Sequence, residues 1–294
     1  MSTMPSLENE KFHSFFSQRY GERWETLWKS LLADEKQVRR RNPFSDAAWD
    51  SSRDIKWLPG CQWQTPDSSS PQRSESGLLD VYIMDPASVL VARALEVQSG
   101  DRVLDMCAAP GGKSLVLAEN LVKSGELIAN ETSDPRRDRL MQVIRQYLPE
   151  KVRSRVWVKG IDGLQYGMRE PTGYDRVLVD APCSGERHLA ENPKEFSYWS
   201  EKRTKSLAQK QYSLLTSAIL AVKPLGRIVY STCSLSPYEN DEVIARLLKK
   251  KGDQVAVIQT SSPSPFAEQT EFGWVHLPDK SDFGPLYYSV LNRK

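Results

Sequence analysis

Val177-Leu178-Val179-Asp180-Ala181-Pro182-Cys183-Ser184-Gly185 and Ile228-Val229-Tyr230-Ser231-Thr232-Cys233-Ser234 decide how this chain reads. Each opens with a short apolar run, Arg176 to Val179 or Arg227 to Tyr230, of the kind that forms a buried strand. A proline or a polar pair directly after the run stops the strand and leaves a thiol at its carboxyl edge. Ligands of open α/β sheets bind at that edge. Two thiols placed there point to covalent chemistry more than to packing.

The same rhythm extends outward. Apolar strand candidates at Arg102 to Met106, Leu127 to Asn130 and Val156 to Val158 alternate with helical stretches at Lys113 to Lys123, Pro135 to Tyr147 and Lys205 to Ala221. This alternation predicts an α/β fold with a mostly parallel sheet covered on both faces. Gly273 to Leu277 and Leu286 to Leu291 read as extra antiparallel strands. Upstream, Asp85 or Ser88 is placed to cap a helix through Val89 to Leu95. Residues 7 to 41 carry Phe12, Phe15, Phe16, Tyr20, Trp24, Leu27, Trp28, Leu31 and Leu32 at helical spacing, with Gly21 as a break between two helices. Aromatics so spaced are core residues before they are base-stacking ones. Thr65 to Gly77, rich in Ser and Pro, reads as an exposed connection. The expected division is an N-terminal helical region and linker, residues 1–77, placed for RNA contact, and a catalytic domain, residues 78–294.

Composition narrows the class. At 294 residues, 39% hydrophobic and 27% charged, the chain has the make-up of an ordinary globular protein. Four cysteines (Cys61, Cys107, Cys183, Cys233) are too few and scattered for a disulfide framework, and three histidines without a CxxC give no zinc pattern, so no metal is expected. No apolar stretch reaches the roughly 18 residues of a membrane span. The N-terminus has neither a signal nor a transit pattern, so a cytoplasmic enzyme is expected. The net charge of +2 excludes a bulk polycation. Local clusters stand at Lys36 to Arg41, Arg136-Arg137, Arg153 and Arg155, Lys202 to Lys205, and Lys249 to Lys251. Each alone is a solvated helix end or loop; several around one cleft would suit a phosphate backbone.

The first strand-to-helix turn is Asp105-Met106-Cys107-Ala108-Ala109-Pro110-Gly111-Gly112-Lys113-Ser114. Its small residues let a ligand approach the backbone, and the helix start offers free amide donors to an anionic group. It is not a P-loop, because Cys107 stands where that motif needs glycine, and the GxGxxG spacing is absent too. Glu131 follows the second strand, where a doubly wound sheet places a carboxylate on a ribose. Asp162 follows the third strand and Asp180 ends the fourth. Three carboxylates at successive strand ends suit a nucleoside ligand.

Asp-x-Cys-Ala-Ala-Pro-Gly-Gly-Lys, Asp-Ala-Pro-Cys-Ser and Ser-Thr-Cys-Ser, in this order, resemble the Sun/Fmu class of RNA (cytosine-5)-methyltransferases, from about Phe12 to the C-terminus. Tyr20-Gly21 with Trp24, Tyr82-Ile83-Met84-Asp85, Arg187-His188 and Phe283-Gly284-Pro285 look like the subgroup that includes the mitochondrial ribosomal-RNA enzyme. The wider family often has Gln where Met84 stands. The resemblance implies a Rossmann-like methyltransferase fold and S-adenosyl-L-methionine as cofactor. Cys107, Ala108, Ala109, Pro110, Gly111, Gly112 and Lys113 would form its turn, the last three around its methionine end. Glu131 would hold the ribose, Arg136 would stand beside the cofactor, and Asp162 would take the adenine amino group. Asp180 would sit near both sulfonium and target base. Cys61, and the Cys107 thiol itself, read as packing.

That chemistry uses two thiols. Cytosine C5 is a poor nucleophile until a thiolate adds to C6 and makes C5 enamine-like. A neighbouring acid must serve N3 as charge enters the ring, a role suited to Asp180. By analogy with DNA cytosine methyltransferases the attacking thiol would be Cys183. The closer RNA-enzyme resemblance assigns attack to Cys233 and product release to Cys183. The expected partner is RNA, ribosomal favoured over transfer, with the chain acting as a monomer and a protein partner for RNA recognition left open. The alternative function is an RNA-binding or ribosome assembly factor that keeps the fold with little catalysis, and it has no need of both thiols. A small-molecule methyltransferase rarely needs them either.

Overall fold

The structure, a computed structural model, describes residues 9–294. The first eight residues, where the N-terminal helical pattern begins and where a signal was sought, lie outside it. The described chain opens with α1 (Glu10–Tyr20) and α2 (Arg23–Leu32). Asn9 caps α1 by accepting the Phe12 N–H, and Gly21, at φ 57°, makes the break between the helices. β1 (Val38–Arg41), β2 (Cys61–Trp63) and β3 (Val81–Met84) then form a small antiparallel sheet in the order β2-β1-β3. β3 lies beyond residue 77, so this sheet joins segments from both sides of that position.

The main sheet is built from α3 (Pro86–Ala94), β4 (Arg102–Asp105), α4 (Gly112–Ala118), β5 (Glu126–Asn130), α5 (Asp134–Tyr147), α6 (Glu150–Arg153) and β6 (Val156–Lys159). α7 (Tyr166–Arg169), β7 (Tyr174–Asp180), α8 (Glu186–Glu191), α9 (Pro193–Ser197), α10 (Glu201–Ala221) and β8 (Val222–Thr232) complete the parallel part. α11 (Asp241–Lys251), β9 (Val255–Val257), β10 (Ala267–Gln269), β11 (Trp274–His276), α12 (Pro278–Ser281) and β12 (Leu286–Arg293) close the chain. The sheet has nine strands in the order β10-β11-β12-β8-β7-β4-β5-β6, with β9 also on β12. β4 to β8 are parallel, and the C-terminal strands add antiparallel at the β8 edge, so the sheet is mixed.

Period-two alternation sorts the strand side chains between two cores. Val103, Leu127, Ala129, Leu178 and Val229 face α3, α4 and α5. Their neighbours Leu104, Ile128, Val177, Val179, Ile228 and Tyr230 face α10 and α11. Burial on both faces explains why these strands read as continuous apolar runs. The expected helix from Lys113 to Lys123 ends sooner, giving way after Ala118 to a 3-10 turn over Glu119–Leu121.

The N-terminal aromatics are core. Phe12, Phe15, Phe16 and Trp24 pack with Leu189, Phe196, Trp199 and Leu235, which docks α1 and α2 beside the loops carrying Cys183 and Cys233. Arg187 fastens the other end of α2: its guanidinium donates to the carbonyls of Leu31 and Ala33 at 3.0 and 2.9 Å and to Gly284 at 2.9 Å. The basic run Lys36 to Arg41 is corrected by β1. Alternation buries Arg40, which ion-pairs with Glu119, and leaves Arg41 exposed, so the run does not act as one basic face.

Candidate active site

Strand order reverses at β4, whose partners are β5 on one side and β7 on the other. The crevice outside the carboxyl ends of these strands is where an open α/β sheet binds ligands. It is a cleft of ≈ 1040 Å³ lined by Cys107, Ala109, Lys113, Glu131, Arg136, Asp162, Asp180, Cys183 and Cys233. Ala108, Pro110 and Gly112 face an adjoining recess of ≈ 190 Å³ with Tyr82 and Met84, and Gly111 lines neither.

The two glycines answer to packing. A Cβ on Gly112 would lie 2.8 Å from Tyr82 Cε1, and one on Gly111, at φ +120°, would meet Val143 at 3.0 Å. The turn is therefore pressed between β3 and α5, a closer reason for glycine than ligand approach. Below it Asp105 is fully buried and accepts the Ser114 hydroxyl at 2.7 Å. Burial pushes its carboxyl up to about 7, and its second oxygen has no hydrogen-bond partner.

Lys113 turns away from the backbone turn and donates to Asp180 Oδ2 at 2.8 Å. Ser231 donates to Asp180 Oδ1 at 2.7 Å, so both oxygens of this carboxylate are held. Burial opposes the Lys113 charge, but the neighbouring Asp180 outweighs it and holds the ammonium above its ordinary range, helped by Asp85 and Cys233. On the β5 side Glu131 is buried, accepts the Ser133 N–H at 2.9 Å and pairs with Arg136 at 3.1 Å. Arg136 also donates to the Ala109 carbonyl at 3.0 Å, tying α5 to the Gly-rich turn. Asp162 is exposed and accepts the Leu164 N–H at 3.1 Å. Glu131, anchored by one oxygen on a backbone N–H at the mouth of the cleft, fits a carboxylate that receives a hydroxyl pair; Asp162 across the cleft fits an amino group.

β7 and β8 run parallel in register, Asp180 opposite Ser231, and so bring the thiols together. Cys183 Sγ lies 2.9 Å from Cys233 Sγ and accepts the Cys233 N–H at 3.3 Å. Both are free, Cys183 half-buried and Cys233 exposed. The Cys183 thiol is raised well above its ordinary range, first by the Cys233 sulfur, then by burial and by Glu239 and Glu186. Either sulfur can donate its S–H to the other across this contact. Cys61 is buried in the core beside β1.

Several groups in this neighbourhood escaped the sequence reading. Glu35 lines the cleft beside Asp85, and burial followed by that carboxylate pushes it up to about 7. Asp85 caps α3 through Ser88, as the sequence led one to expect, and also accepts the Gly284 N–H at 2.9 Å, a contact the sequence did not suggest. Glu186 and Glu239 lie fully buried behind the thiols. The available signal was an acidic residue a few positions after each cysteine, but it has no periodicity to mark it as buried. Among the described residues no cluster of His, Cys, Asp or Glu has the make-up of a metal site, and no helix is long and apolar enough to cross a membrane.

A reversing parallel sheet with a Gly-rich turn at the reversal and carboxylates at successive strand ends is the architecture of a Rossmann-like nucleotide-binding enzyme. The family described as 16S rRNA methyltransferase RsmB/F matches residues 92–292, and the chain belongs to it. It is 32% identical to the 5-cytosine rRNA methyltransferase NSUN4 of Mus musculus, over 99% of this chain and 90% of that protein. It is 35% identical to a mitochondrial tRNA (cytosine(34)-C(5))-methyltransferase of Mus musculus, over 78% of this chain and 69% of that protein. In fold it is similar to PH0851 (TM-score 0.82, 23% identity, 98% of this chain and 69% of the other). NSun6 from Pyrococcus horikoshii with SFG gives a TM-score of 0.76 at 18% identity, covering 97% and 98% of the two chains. The chain is thus an RNA (cytosine-5)-methyltransferase that uses S-adenosylmethionine.

Proposed function

We propose that the substrate is ribosomal RNA, and that Cys233 attacks while Cys183 releases the product. The 2.9 Å contact between the thiols, with the Lys113–Asp180 pair beside them, carries this reading. The match to NSUN4 spans nearly the full length of both chains, which favours ribosomal over transfer RNA. In this reading the chain acts as a monomer, and its N-terminal helices form one wall of the thiol region.

When bound, S-adenosylmethionine supplies an electrophilic methyl group at the cleft. Glu131 and Asp162 would hold its nucleoside end, with Arg136 orienting Glu131. Cys233 is the exposed sulfur, and Cys183 donates to it, which supports the charge Cys233 carries before attack. As the Cys233–C6 bond forms, electron density moves through the ring to N3 and C5. N3 becomes basic and takes a proton through Asp180, whose Oδ2 sits on the Lys113 ammonium. After C5 is methylated, Cys183 gives its S–H proton to water in the cleft, and the resulting thiolate removes the C5 proton. The C6–Sγ bond then breaks, its electron pair returns to Cys233, and N3 gives its proton back to Asp180 and Lys113.

The test is denaturing electrophoresis of each cysteine variant with RNA and cofactor. Cys183→Ala should leave a slow covalent band containing 5-methylcytosine, and Cys233→Ala should leave none. A band in Cys233→Ala alone would reverse the two roles.

A further inference from the structure

Behind the two thiols lies a polar cluster that the methyl transfer leaves unused. Ser184 follows Cys183, Ser234 follows Cys233, and their hydroxyls are 3.0 Å apart. Ser234 Oγ lies 3.1 Å from Glu186 Oε1 and 3.0 Å from Glu239 Oε1, and Ser184 Oγ is hydrogen-bonded to the same two oxygens. Each carboxylate commits its other oxygen elsewhere. Glu186 Oε2 accepts the Leu235 N–H at 2.8 Å. Glu239 Oε2 accepts the Ser184 N–H at 3.0 Å and the Gln211 amide at 2.7 Å.

Two counts now conflict with a pair of ionised carboxylates. The two serine oxygens and two Oε1 atoms make five close contacts, yet the serines bring only two hydrogens. Both glutamates are also 0% exposed, and among the described residues no lysine, arginine or histidine forms an ion pair with either. Two like charges in such a site cannot both persist; one keeps a proton.

We propose that Glu186 and Glu239 hold one proton among their Oε1 atoms and the Ser184 and Ser234 hydroxyls, and that this shared proton clamps the two cysteine loops at their working separation. The glutamates are positioning residues, acting through the serines rather than on the reacting atoms. The proposal rests on the reading above that both thiols serve one cytosine. Burial raises both carboxyls, Glu186 to about 7, in keeping with the geometry. The titratable groups facing the pair are Cys183 on its own loop, Tyr20 from α1 and Tyr230 from β8. All three are shifted upward and neutral near pH 7, so none supplies a counter-charge.

As pH rises the shared proton leaves, the carboxylates repel and the clamp loosens, even while thiolate formation gains. Glu239→Gln can keep its carbonyl oxygen on the Ser184 and Gln211 donors and turn its amide hydrogens to the serines, replacing the proton permanently. Single-turnover methyl transfer should then show its alkaline fall moved up by about one pH unit or more relative to wild type. An alkaline limb identical in wild type, Glu239→Gln and Glu186→Gln overturns the proposal. Infrared difference spectra of wild type minus each Gln variant, near neutral pH, should show the carbonyl stretch of a protonated carboxylic acid; its absence from both also overturns it. That spectrum needs no turnover, so it separates failure of the clamp from failure of the thiol assignments.

Discussion

The cofactor half of the cleft and the thiol half solve the problem of charge in opposite ways. At the ends of β4 to β6 the acids are met by bases or by water: Glu131 by Arg136, Asp180 by Lys113, and Asp162 by solvent. Behind the ends of β7 and β8 two glutamates sit buried with only hydroxyls and amides around them. The first arrangement places carboxylate oxygens at the cleft with partners of opposite charge or water beside them. The second makes them a rigid support that is sensitive to protons. Lys113 belongs to both halves, because it starts at the Gly-rich turn and its charge reaches Asp180 and Cys233.

This contrast can be broken at several points, the largest effects lying among the thiols. Cys233→Ala should abolish methyl transfer and the covalent adduct, whereas Cys183→Ala should keep the adduct and lose turnover, both read from labelled methyl on RNA. Asp180→Asn removes the group that passes a proton to N3 and should slow single-turnover transfer by about 10²–10⁴-fold. Equal rates in the variant and wild type would take the Lys113–Asp180 pair out of the chemistry.

The cofactor half should respond more gently. Glu131→Ala should weaken S-adenosylmethionine binding by about 1–3 kcal/mol in calorimetry, through a lost buried hydrogen bond. Asp162→Ala should cost less, because Asp162 is already exposed to water. A smaller change belongs to the pH dependence of stability. Asp105 has its folded carboxyl raised to about 7 from an ordinary 3.8, so the folded state holds a proton that the unfolded chain gives up. Its contribution is fully present below about pH 4 and lost as pH rises through 7. Asp105→Asn should therefore gain in Tm relative to wild type between pH 5 and pH 8, and a constant difference would contradict the burial argument. For RNA, Arg41→Glu should flatten the salt dependence of binding, while Arg40→Glu should lower Tm instead, since Arg41 faces solvent and Arg40 is buried.

The sheet and most of the cleft were legible in the sequence for a physical reason. Strands buried on both faces must be apolar throughout, so Val177 to Val179 and Ile228 to Tyr230 announce themselves, and the polar residues after them mark the carboxyl edge. Asp180, Cys183, Glu131 and Asp162 could be placed at that edge because each is local to the end of one strand. The basic run at Arg39 to Arg41 misled because composition carries no facing; only the pairing of β1 with β2 and β3 separates Arg40 from its neighbours.

By itself, then, the sequence determined which strands exist, where each ends and which reactive groups stand at the ends. Tertiary structure alone decided which of those ends touch. The 2.9 Å between Cys183 and Cys233, fifty residues apart, comes from the register of β7 on β8. The burial of Glu186 and Glu239 together, with no ion-pair partner for either among the described residues, is not a property of a residue or its neighbours in the chain. Strand propensity is local, whereas distance, dielectric surroundings and hydrogen-bond partners are set only when the chain has closed on itself.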